Sequence, residues 1–337
     1  MIVPVFIPHL GCPHRCVFCQ QEKITSQQGP PVGAKNVRAI IEQALASPRF
    51  SPLAENEIAF FGGTFTSLPV RLIQELLEAT APYLDRELFT GIRVSTRPDA
   101  IDPSICRLIA GYRVKTVELG AQSMNDEVLR LSGRGHTAAD TIHAARLLKK
   151  LDFKLGIQIM PGLPGDSKNV FSETISSVIA IHPDMVRIYP AVVIRGTALA
   201  TWYREGRYSP LSLKEAVERC REACMRFEAE GIPVIRIGLM NSPSLREPGQ
   251  ILAGPWHEAF GHLVKCMIYR NNIAPILSAE KWKGCSVVIG ASPREIPLLR
   301  GYKNEGVSWL EDQLGASVAK IVADKRLPPG NITVEGV

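Results

Sequence analysis

In this sequence, Gly11-Cys12-Pro13-His14-Arg15-Cys16-Val17-Phe18-Cys19 directly follows an apolar run over residues 2–7, and that run predicts a first β-strand. Its three thiols, in the spacing C-x3-C-x2-C, can surround one soft metal centre and leave one coordination position without a protein ligand. Iron–sulfur clusters that only carry electrons take four thiolates. Three thiolates in one loop therefore predict a cluster with one iron free to bind another molecule, and a vacant position is typical of catalytic metal sites.

The same cysteines have two alternative uses. Zinc bound by the three thiols together with His9 or His14 is one, because three cysteines and a histidine form a common structural zinc site. A disulfide framework is the other, but 8 cysteines in 337 residues do not resemble a small secreted scaffold. From the loop alone, the zinc alternative stays open.

Beyond the loop, short β-type runs alternate with helical patterns, which indicates a parallel sheet built from βα units. Strands are predicted over residues 57–61, 92–95, 114–119, 154–159, 185–189 and 234–237. Helices are predicted over residues 34–46, 70–84, 101–109, 170–181, 213–230 and 256–269, with further helical stretches up to residue 150. This order predicts an α/β protein with a partial (β/α)6 barrel of TIM type and a carboxyl-terminal α/β extension.

Every distinctive motif follows a predicted strand, and reactive groups in such folds lie at the carboxyl ends of the strands. The motifs are Gly62-Gly63-Thr64, Ser95-Thr96-Arg97-Pro98-Asp99, Gly120-Ala121-Gln122-Ser123 with Gly133-Arg134-Gly135-His136-Thr137, and Met160-Pro161-Gly162-Leu163-Pro164-Gly165. A chance cysteine triplet would not bring this pattern with it, so the motifs together favour a cluster over zinc.

The cysteine loop, with aromatic Phe18 before its last cysteine, resembles the signature of the radical S-adenosylmethionine (radical SAM) enzymes. The resemblance implies that Cys12, Cys16 and Cys19 hold a [4Fe-4S] cluster whose fourth iron binds the amino and carboxylate groups of S-adenosylmethionine (SAM). It further implies that an electron from the cluster cleaves SAM to methionine and a 5′-deoxyadenosyl radical, which then attacks a substrate. The cofactor supplies such chemistry, and the protein supplies orientation and exclusion of solvent.

The strand-end motifs resemble the SAM-binding segments of the same family. The turn Gly62-Gly63-Thr64 is implied to hold the SAM amino group through its backbone, since paired glycines let a ligand approach closely. Gln122 is implied to lie at the ribose, because an amide can both donate to and accept from a diol. Arg134 is implied to pair with the SAM carboxylate, a task that suits a guanidinium; its alternative is a solvated loop charge.

Two further segments are implied to surround the adenine of SAM. Phe18 is expected near the ring, and the turn Met160-Pro161-Gly162 is expected to form a fixed backbone wall against it. A purely structural turn is the alternative for this segment. Ser95 is a weaker candidate because related enzymes often carry a glutamate there, and Asp99 and Asp102 are expected to cap the next helix.

Residues 187–197 and 206–208 narrow the resemblance to the radical SAM domain of the Elongator catalytic subunit, which modifies wobble uridines of tRNA. More distantly, the motifs resemble oxygen-independent coproporphyrinogen III oxidase. The Elongator likeness covers about residues 1–240, so we predict a core over 1–240 and an extension of unknown role over 241–337. Two departures stand out: the Elongator subunit has a longer gap between its first two cysteines, and the tail here has no Gly-rich loop of an acetyltransferase domain.

The leading hypothesis is therefore a radical SAM enzyme that uses SAM and a [4Fe-4S] cluster, with tRNA as the preferred substrate. An electron donor such as flavodoxin or ferredoxin is an expected partner. One alternative is a radical SAM enzyme acting on a tetrapyrrole or small metabolite. Another is an iron–sulfur or zinc protein that binds without turnover.

Composition is consistent with this hypothesis without establishing it. The chain is 45% hydrophobic and 21% charged, with a net charge of +6, which permits binding to an acidic partner such as RNA. No segment reaches the ~18 consecutive apolar residues of a membrane span, and the chain enters its first strand without a leader pattern. We expect a cytoplasmic protein with no membrane partner.

Four downstream cysteines and a histidine pair were considered as a second metal site. His257 and His262 are five residues apart and do not share a helical face. Cys220 and Cys224 do share a face, and buried free thiols are the favoured interpretation. A second metal site formed by this pair with Cys266 or Cys285 stays an alternative.

Overall fold

The computed structural model of the protein describes residues 1–26, 32–277 and 279–337. The chain forms two compact units, one of Met1–Ser212 with Arg226–Trp256 and one of Leu213–Met225 with His257–Val337. The first unit continues past residue 240, where the sequence predicts the end of the core. The boundary at residue 240, as a division of function, stays a prediction.

The described residues contain twelve strands. They are β1 (Ile2–Phe6), β2 (Glu57–Phe61), β3 (Gly91–Thr96), β4 (Val114–Gln122), β5 (Lys154–Ile159), β6 (Met185–Ile188), β7 (Val193–Ile194), β8 (Val234–Ile237), β9 (Ile251–Ala253), β10 (Ser286–Ala291), β11 (Ser317–Ala323) and β12 (Ile332–Gly336).

Fifteen α-helices connect and flank the strands in the same described ranges. They are α1 (Gln21–Thr25), α2 (Ala34–Leu45), α3 (Val70–Glu78), α4 (Ala81–Asp85), α5 (Pro103–Gly111), α6 (Asp126–Leu131), α7 (Ala138–Lys150), α8 (Lys168–Ile181), α9 (Ala198–Arg204), α10 (Leu213–Ala229), α11 (Pro243–Arg246), α12 (Phe260–Ile273), α13 (Ala279–Trp282), α14 (Ile296–Arg300) and α15 (Glu305–Leu314).

The first unit is organised around a seven-stranded parallel sheet in the order β1-β2-β3-β4-β5-β6-β8. Consecutive strands are joined by helical crossovers, which places all their carboxyl ends along one edge of the sheet. The sheet curls into a half-barrel whose edge strands, β1 and β8, do not pair with each other in the described residues. This architecture confirms the predicted partial barrel.

The strands read as apolar runs because helices cover the outer face of the sheet. In β2, for example, Ile58, Ala59 and Phe60 are fully buried. β2, β5 and β8 begin and end where the sequence predicts. Strand burial on both faces explains why β2 and β5 could be found without a structure, whereas β8 has no buried residue and was found from its β-branched residues.

The predicted helix over residues 70–84 is wrong as a single element. α3 ends at Glu78, and α4 begins only at Ala81, with Pro82 in its first turn. A proline inside a helix lacks the N–H donor and clashes with the carbonyl four residues earlier, which here would be that of Glu78. The chain avoids the clash by starting a new helix.

Two other predicted helix starts shift towards the carboxyl terminus. α5 begins at Pro103, because the Asp102 carboxylate accepts the N–H groups of Ser104 and Ile105 at 2.7 and 3.0 Å, which confirms Asp102 as a cap. α12 begins at Phe260 and not at residue 256. There the ring Nδ1 of His257 accepts the Ala259 N–H at 3.0 Å, a local bond of the kind that competes with helix formation.

A chain of buried ion pairs links four strands of the main sheet. Arg93 on β3 contacts Glu57 on β2 and, at 2.6 Å, Glu118 on β4. Glu118 also contacts Arg187 on β6 at 2.9 Å. β5 lies between these last two strands and carries Gly156, where an added Cβ would stand 2.9 Å from the Glu118 side chain. The missing side chain at Gly156 lets the pair form across β5.

The second unit contains a three-stranded mixed sheet in which β10 pairs with β11 in parallel and with β12 antiparallel. Its core includes Val287, Ile289, Leu310 and Leu314. This α/β unit agrees with the predicted carboxyl-terminal extension. Within the described ranges, none of the helices is long and apolar enough to span a bilayer.

The second metal site that the downstream cysteines left open is not formed. Cys220, Cys224 and Cys266 are buried and Cys285 is exposed. Among the residues that the structure describes, no group of three or more His, Cys, Asp or Glu side chains could hold a single metal ion. Burial also raises the pKa of the Cys220 thiol, which fits the interpretation as an inert core thiol.

Candidate active site

A cavity of about 450 Å³ lies at the carboxyl ends of the strands in the first unit. This volume falls within the range of small-molecule and cofactor sites. Ten residues predicted from the sequence line it: Cys12, Cys16, Phe18, Cys19, Gly62, Gly63, Thr64, Gln122, Arg134 and Met160. Pro161 and Gly162 are buried in the turn after β5 and are not among the lining residues.

The cysteine loop leaves β1 through tight turns that point the thiols into the cavity. His9 and Gly11 adopt positive φ angles of 56° and 73°. The N–H of Cys12 donates to the His9 carbonyl at 3.2 Å, and that of Cys19 donates to the Cys16 carbonyl at 3.1 Å. All three thiols are free, and the Cys12 sulfur lies 3.4 Å from the Thr64 hydroxyl.

Gln21, a residue that the sequence analysis missed, fastens this loop to the glycine turn. Its side-chain oxygen accepts the N–H groups of His9 and Gly63, both at 2.6 Å, and its own N–H donates to Nε2 of His9 at 3.0 Å. Gly63 comes so close that an added Cβ would stand 2.3 Å from the Leu10 carbonyl. The only sequence signal for Gln21 is a long amide two residues after the last loop cysteine.

The chemistry of the three thiols fits a metal cluster. Burial and then the negative charges of Cys16 and Cys12 raise the pKa of Cys19 to about 12, so this thiol needs a cationic partner to lose its proton at neutral pH. Nε2 of His9 is already occupied by Gln21. The three thiols suit a multi-iron cluster, and His14, the other histidine of the zinc alternative, also lines the cavity.

The loop Gly133-Arg134-Gly135 packs directly on the cysteine loop. The Val17 N–H donates to the Ser132 carbonyl at 3.1 Å. Gly133 and Gly135 both have positive φ, and a Cβ on Gly135 would stand 2.4 Å from the His14 ring. Only glycines allow this approach, which brings Arg134 between the two loops.

Arg134 is 6% exposed and is held by two defined contacts. Its Nη1 donates to the Cys16 sulfur at 3.1 Å, and its Nη2 donates to the Gly120 carbonyl at 2.5 Å. Its Nε has no hydrogen-bond partner among the described residues. The alternative of a solvated loop charge is therefore wrong, while the predicted contact with the SAM carboxylate stays a prediction.

Arg97 and His136, which the sequence did not place at the site, surround Arg134. Arg97 donates two hydrogen bonds to Asp99, at 2.9 and 2.8 Å, and a third to the Arg134 carbonyl. Asp99 is thus an ion-pair partner and not the expected helix cap. Burial, with the charges of Arg134 and Arg97, lowers the pKa of His136 to about 4. His136 is consequently neutral at pH 7.

Gln122 and the turn after β5 are fixed to each other. Gln122 has a φ of 68°, its carbonyl accepts the Met160 N–H at 2.8 Å, and its side-chain oxygen accepts from Nε2 of Gln158 at 3.1 Å. The turn is braced from behind, since the Tyr208 hydroxyl donates to the Gly162 carbonyl at 2.6 Å. These hydrogen bonds hold the turn at both ends; its predicted role as a fixed wall against adenine stays a prediction.

One wall of the cavity is polar and was not predicted. Glu118, Gln158, Arg187 and Tyr189 line it. Arg187 donates to the Tyr189 hydroxyl at 3.0 Å, and its guanidinium lies 4.8 Å from the centre of the Phe61 ring. The sequence segment 187–190 contributed to the family resemblance, but nothing in its pattern indicates that Arg187 faces the cavity.

A half-barrel of parallel strands with three free thiols and a buried arginine at one cavity defines a cofactor-dependent enzyme of the barrel class. The particular family follows from sequence comparison: the Radical SAM superfamily matches residues 6–178, and the Radical_SAM C-terminal domain matches residues 183–270. The chain belongs to the radical SAM superfamily and is an enzyme. The alternative of a binding protein without turnover is thereby set aside.

The relatives agree with the Elongator-like resemblance. A tRNA uridine(34) acetyltransferase of Dehalococcoides mccartyi is 27% identical over 239 residues, which are 62% of this chain and 52% of the relative. Human Elongator complex protein 3 is 31% identical over 183 residues, 48% of this chain and 33% of the relative. The chain thus matches about half or less of the length of these proteins.

A solved structure shows the same fold. The archaeal Methanocaldococcus infernus Elp3 with an N-terminal deletion superposes with a TM-score of 0.61 at 24% identity, covering 80% of this chain and 62% of that one. At this identity, the likeness supports the fold and not a shared reaction.

Proposed function

We propose that this enzyme binds a [4Fe-4S] cluster through Cys12, Cys16 and Cys19, binds SAM in the same cavity, and modifies a nucleoside of tRNA. The observation that carries the proposal is the convergence of three free thiols, the Gly62-Gly63 turn, Gln122 and Arg134 on one cavity. When bound, the cluster and SAM together would supply an electron and the radical chemistry of the family.

The protein's own residues would bind and orient SAM. Gly62 and Gly63 present bare backbone at the cavity, which suits the close approach of an ammonium group. Gln122 would hydrogen-bond the ribose hydroxyls. Its side-chain oxygen already accepts from Gln158, so its amide N–H groups would donate to the ribose. Arg134 has an unpartnered buried Nε within the described part of the chain, which is suited to a carboxylate.

The remaining proposed contacts exclude water from the SAM adenine. Phe18 and Met160 line the cavity. Both belong to an apolar cluster that also contains Leu163 and Tyr208. Pro161 and Gly162 would act by fixing the backbone of that wall. Exclusion of water matters because it protects a reactive intermediate from side reactions.

The preference for tRNA rests on the relatives, whose names include a tRNA uridine(34) acetyltransferase. Because this chain matches only part of their length, we do not extend acetyl transfer to it. We propose instead that it carries out the radical step, with a flavodoxin- or ferredoxin-type electron donor.

The test is anaerobic reconstitution of the protein with iron and sulfide, followed by incubation with SAM, dithionite and total tRNA. We expect about four irons per chain, formation of 5′-deoxyadenosine, and a new nucleoside in the tRNA digest. All three should be absent in the Cys16→Ala variant. Cleavage of SAM without any change in tRNA would overturn the substrate and leave the radical chemistry standing, whereas stoichiometric zinc without SAM cleavage would overturn both.

A further inference from the structure

The Arg134 side chain contacts a cysteine that the proposed function makes a cluster ligand. We infer that Arg134 is a positioning residue which donates a hydrogen bond to the Cys16 sulfur and thereby raises the reduction potential of the cluster. This inference rests on the proposed function, because it requires the cluster. It differs from a contact with SAM, since it acts before SAM has bound.

The contact between Arg134 and the Cys16 sulfur is fixed by a second hydrogen bond of the same guanidinium. Nη1 lies 3.1 Å from the Cys16 sulfur while Nη2 is anchored on the Gly120 carbonyl at 2.5 Å. Two parallel donors on one planar group fix its orientation, so Nη1 cannot turn away without breaking the second bond. An added Cβ on Gly120 would stand 3.4 Å from Nη2, so the absent side chain leaves room for the anchor.

The backbone that carries Arg134 is fixed as well. Arg97 donates to the Arg134 carbonyl and is itself held by Asp99. The Val17 N–H donates to the Ser132 carbonyl, which ties the two loops together one residue away from Cys16. The distance between the guanidinium and the sulfur is therefore set by backbone contacts on both sides.

The physical effect follows from charge and burial. Reduction of the cluster by an external one-electron donor adds one negative charge to it. A cation at hydrogen-bond distance from a ligand sulfur stabilises the reduced form more than the oxidised form, and burial weakens the screening by water. Arg134 is 6% exposed, whereas Arg15, which lies on the cysteine loop itself, is exposed to water. Of these two arginines, Arg134 is therefore the one placed to stabilise the reduced cluster.

The test compares Arg134→Met with Arg130→Met in the reconstituted protein without SAM. Arg130 lies four residues away, is mostly exposed and pairs with Glu127, so its loss removes the same charge without the sulfur contact. In a potentiometric titration followed by electron paramagnetic resonance, we expect Arg134→Met to shift the potential to more negative values. Arg130→Met should keep the wild-type potential. Equal potentials in all three proteins would overturn the inference.

A second measurement uses the wild-type protein and does not depend on the variant holding its cluster. Resonance Raman spectra in H2O and D2O report hydrogen bonds to cysteine sulfur as isotope shifts of the Fe–S(Cys) stretching bands. We expect a shift in the wild type and in Arg130→Met, and a smaller one in Arg134→Lys, which keeps the charge but not the planar fork. Absence of any shift in the wild type would overturn the inference even though the cluster is present.

The two proposals fail in different ways. A protein that does not assemble a [4Fe-4S] cluster contradicts the proposed function and removes the inference with it. A loaded cluster with an unchanged potential in Arg134→Met contradicts the inference alone. A variant whose potential is shifted without SAM, but whose SAM affinity is normal, supports the inference and assigns the SAM carboxylate to another group.

Discussion

At the level of single residues, the eight cysteines of the chain fall into two groups, those of the cysteine loop and those outside it. Cys12, Cys16 and Cys19 line the cavity, whereas Cys106 lies in α5 with its pKa raised to about 11 by burial and then by Asp102. Cys106 is fully buried and is not among the residues that line the cavity, so it does not face a group bound there. The chemistry should therefore depend on the first group and not on Cys106.

We predict that Cys12→Ala, Cys16→Ala and Cys19→Ala each lose the brown chromophore and SAM cleavage while remaining folded. Cys106→Ala is the matched control and should keep both, at a stability cost of about 1 kcal/mol for a small core truncation. Iron content and visible absorption after anaerobic reconstitution provide the measurement. Loss of iron in a folded Cys106→Ala protein would contradict the three-ligand site.

Gly63 shows how much of the site depends on a missing side chain. It has a φ of 54°, and an added Cβ would meet the Leu10 and Ile7 carbonyls at 2.3 and 2.6 Å. We predict that Gly63→Ala destabilises the protein by about 1–3 kcal/mol and lowers iron incorporation, because the turn and the cysteine loop must separate.

The control for this prediction is Gly111→Ala in α5, where an added Cβ meets nothing within 4 Å. Alanine is favoured over glycine in a helix, so this variant should be at least as stable as the wild type. Urea denaturation measures both. Equal stability of the two variants would show that the turn adapts to a side chain.

His136 makes stability depend on pH. Its pKa is about 4 in the folded protein, lowered first by burial and then by Arg134, against about 6.5 when unfolded. The unfolded chain therefore binds the extra proton between these values, and stability is lost as the pH falls from about 6.5 to about 4, by at most about 3 kcal/mol.

We predict that His136→Leu flattens this part of the curve by up to about 1.4 kcal/mol per pH unit. His143→Leu on the exposed face of α7 is the control for the loss of one imidazole. Urea denaturation of the metal-free protein between pH 4 and 7 gives the slopes. Identical slopes in all three proteins would refute the buried neutral state.

At the scale of elements, the ion pairs across the sheet replace apolar packing on its inner side. Arg93 is buried between Glu57 and Glu118. Removing one member of a buried network leaves the others desolvated and unpaired, which costs about 3–5 kcal/mol. We predict this loss for Arg93→Met, measured as the free energy of unfolding.

The control removes an exposed ion pair of the same chemistry. Arg113 pairs with Asp85 at 2.7 Å, with both side chains more than half exposed, and such pairs contribute less than about 1 kcal/mol. Arg113→Met should therefore change stability little. If Arg93→Met were as stable as this control, water or sheet relaxation would have to satisfy the two carboxylates.

The same elements show what the sequence could and could not predict. The inner strands of the main sheet were found because burial on both faces leaves a local apolar run, and the cysteines were found because their spacing is local. The polar wall and the buried ion pairs of the sheet were missed because their contacts are not local. Arg93 is 25 residues and Arg187 is 69 residues from Glu118 in the sequence. Gln21 was missed for a related reason, since its partner Gly63 follows a different strand.

At the scale of the whole molecule, the modest positive charge limits how the enzyme can bind tRNA. The net charge is +6, which suggests a few phosphate contacts and not ten. With about 0.9 counterions released per phosphate on a duplex, three or four contacts predict a slope near −3 for log affinity against log salt concentration.

We predict this slope for the wild-type protein binding total tRNA, measured by filter binding between 50 and 200 mM KCl. The metal-free Cys16→Ala protein is the control and should show the same slope, because the cysteines do not contact phosphates. A slope near −10 would indicate a much larger basic interface than the charge allows. A slope near zero would exclude a backbone-dominated complex.

Among the residues that the structure describes, the edge strands β1 and β8 of the half-barrel each pair on one side only, which favours self-association. β1 and β8 present Ile2 and Ile235, which are 41% and 43% exposed, and an open strand is a template on which another chain can extend the sheet. Each edge carries a residue that opposes such growth, Pro4 in β1 and Arg236 in β8. A proline cannot complete the ladder of an added strand, and a charge resists stacking of identical copies. We therefore expect that replacing either residue increases self-association at high concentration.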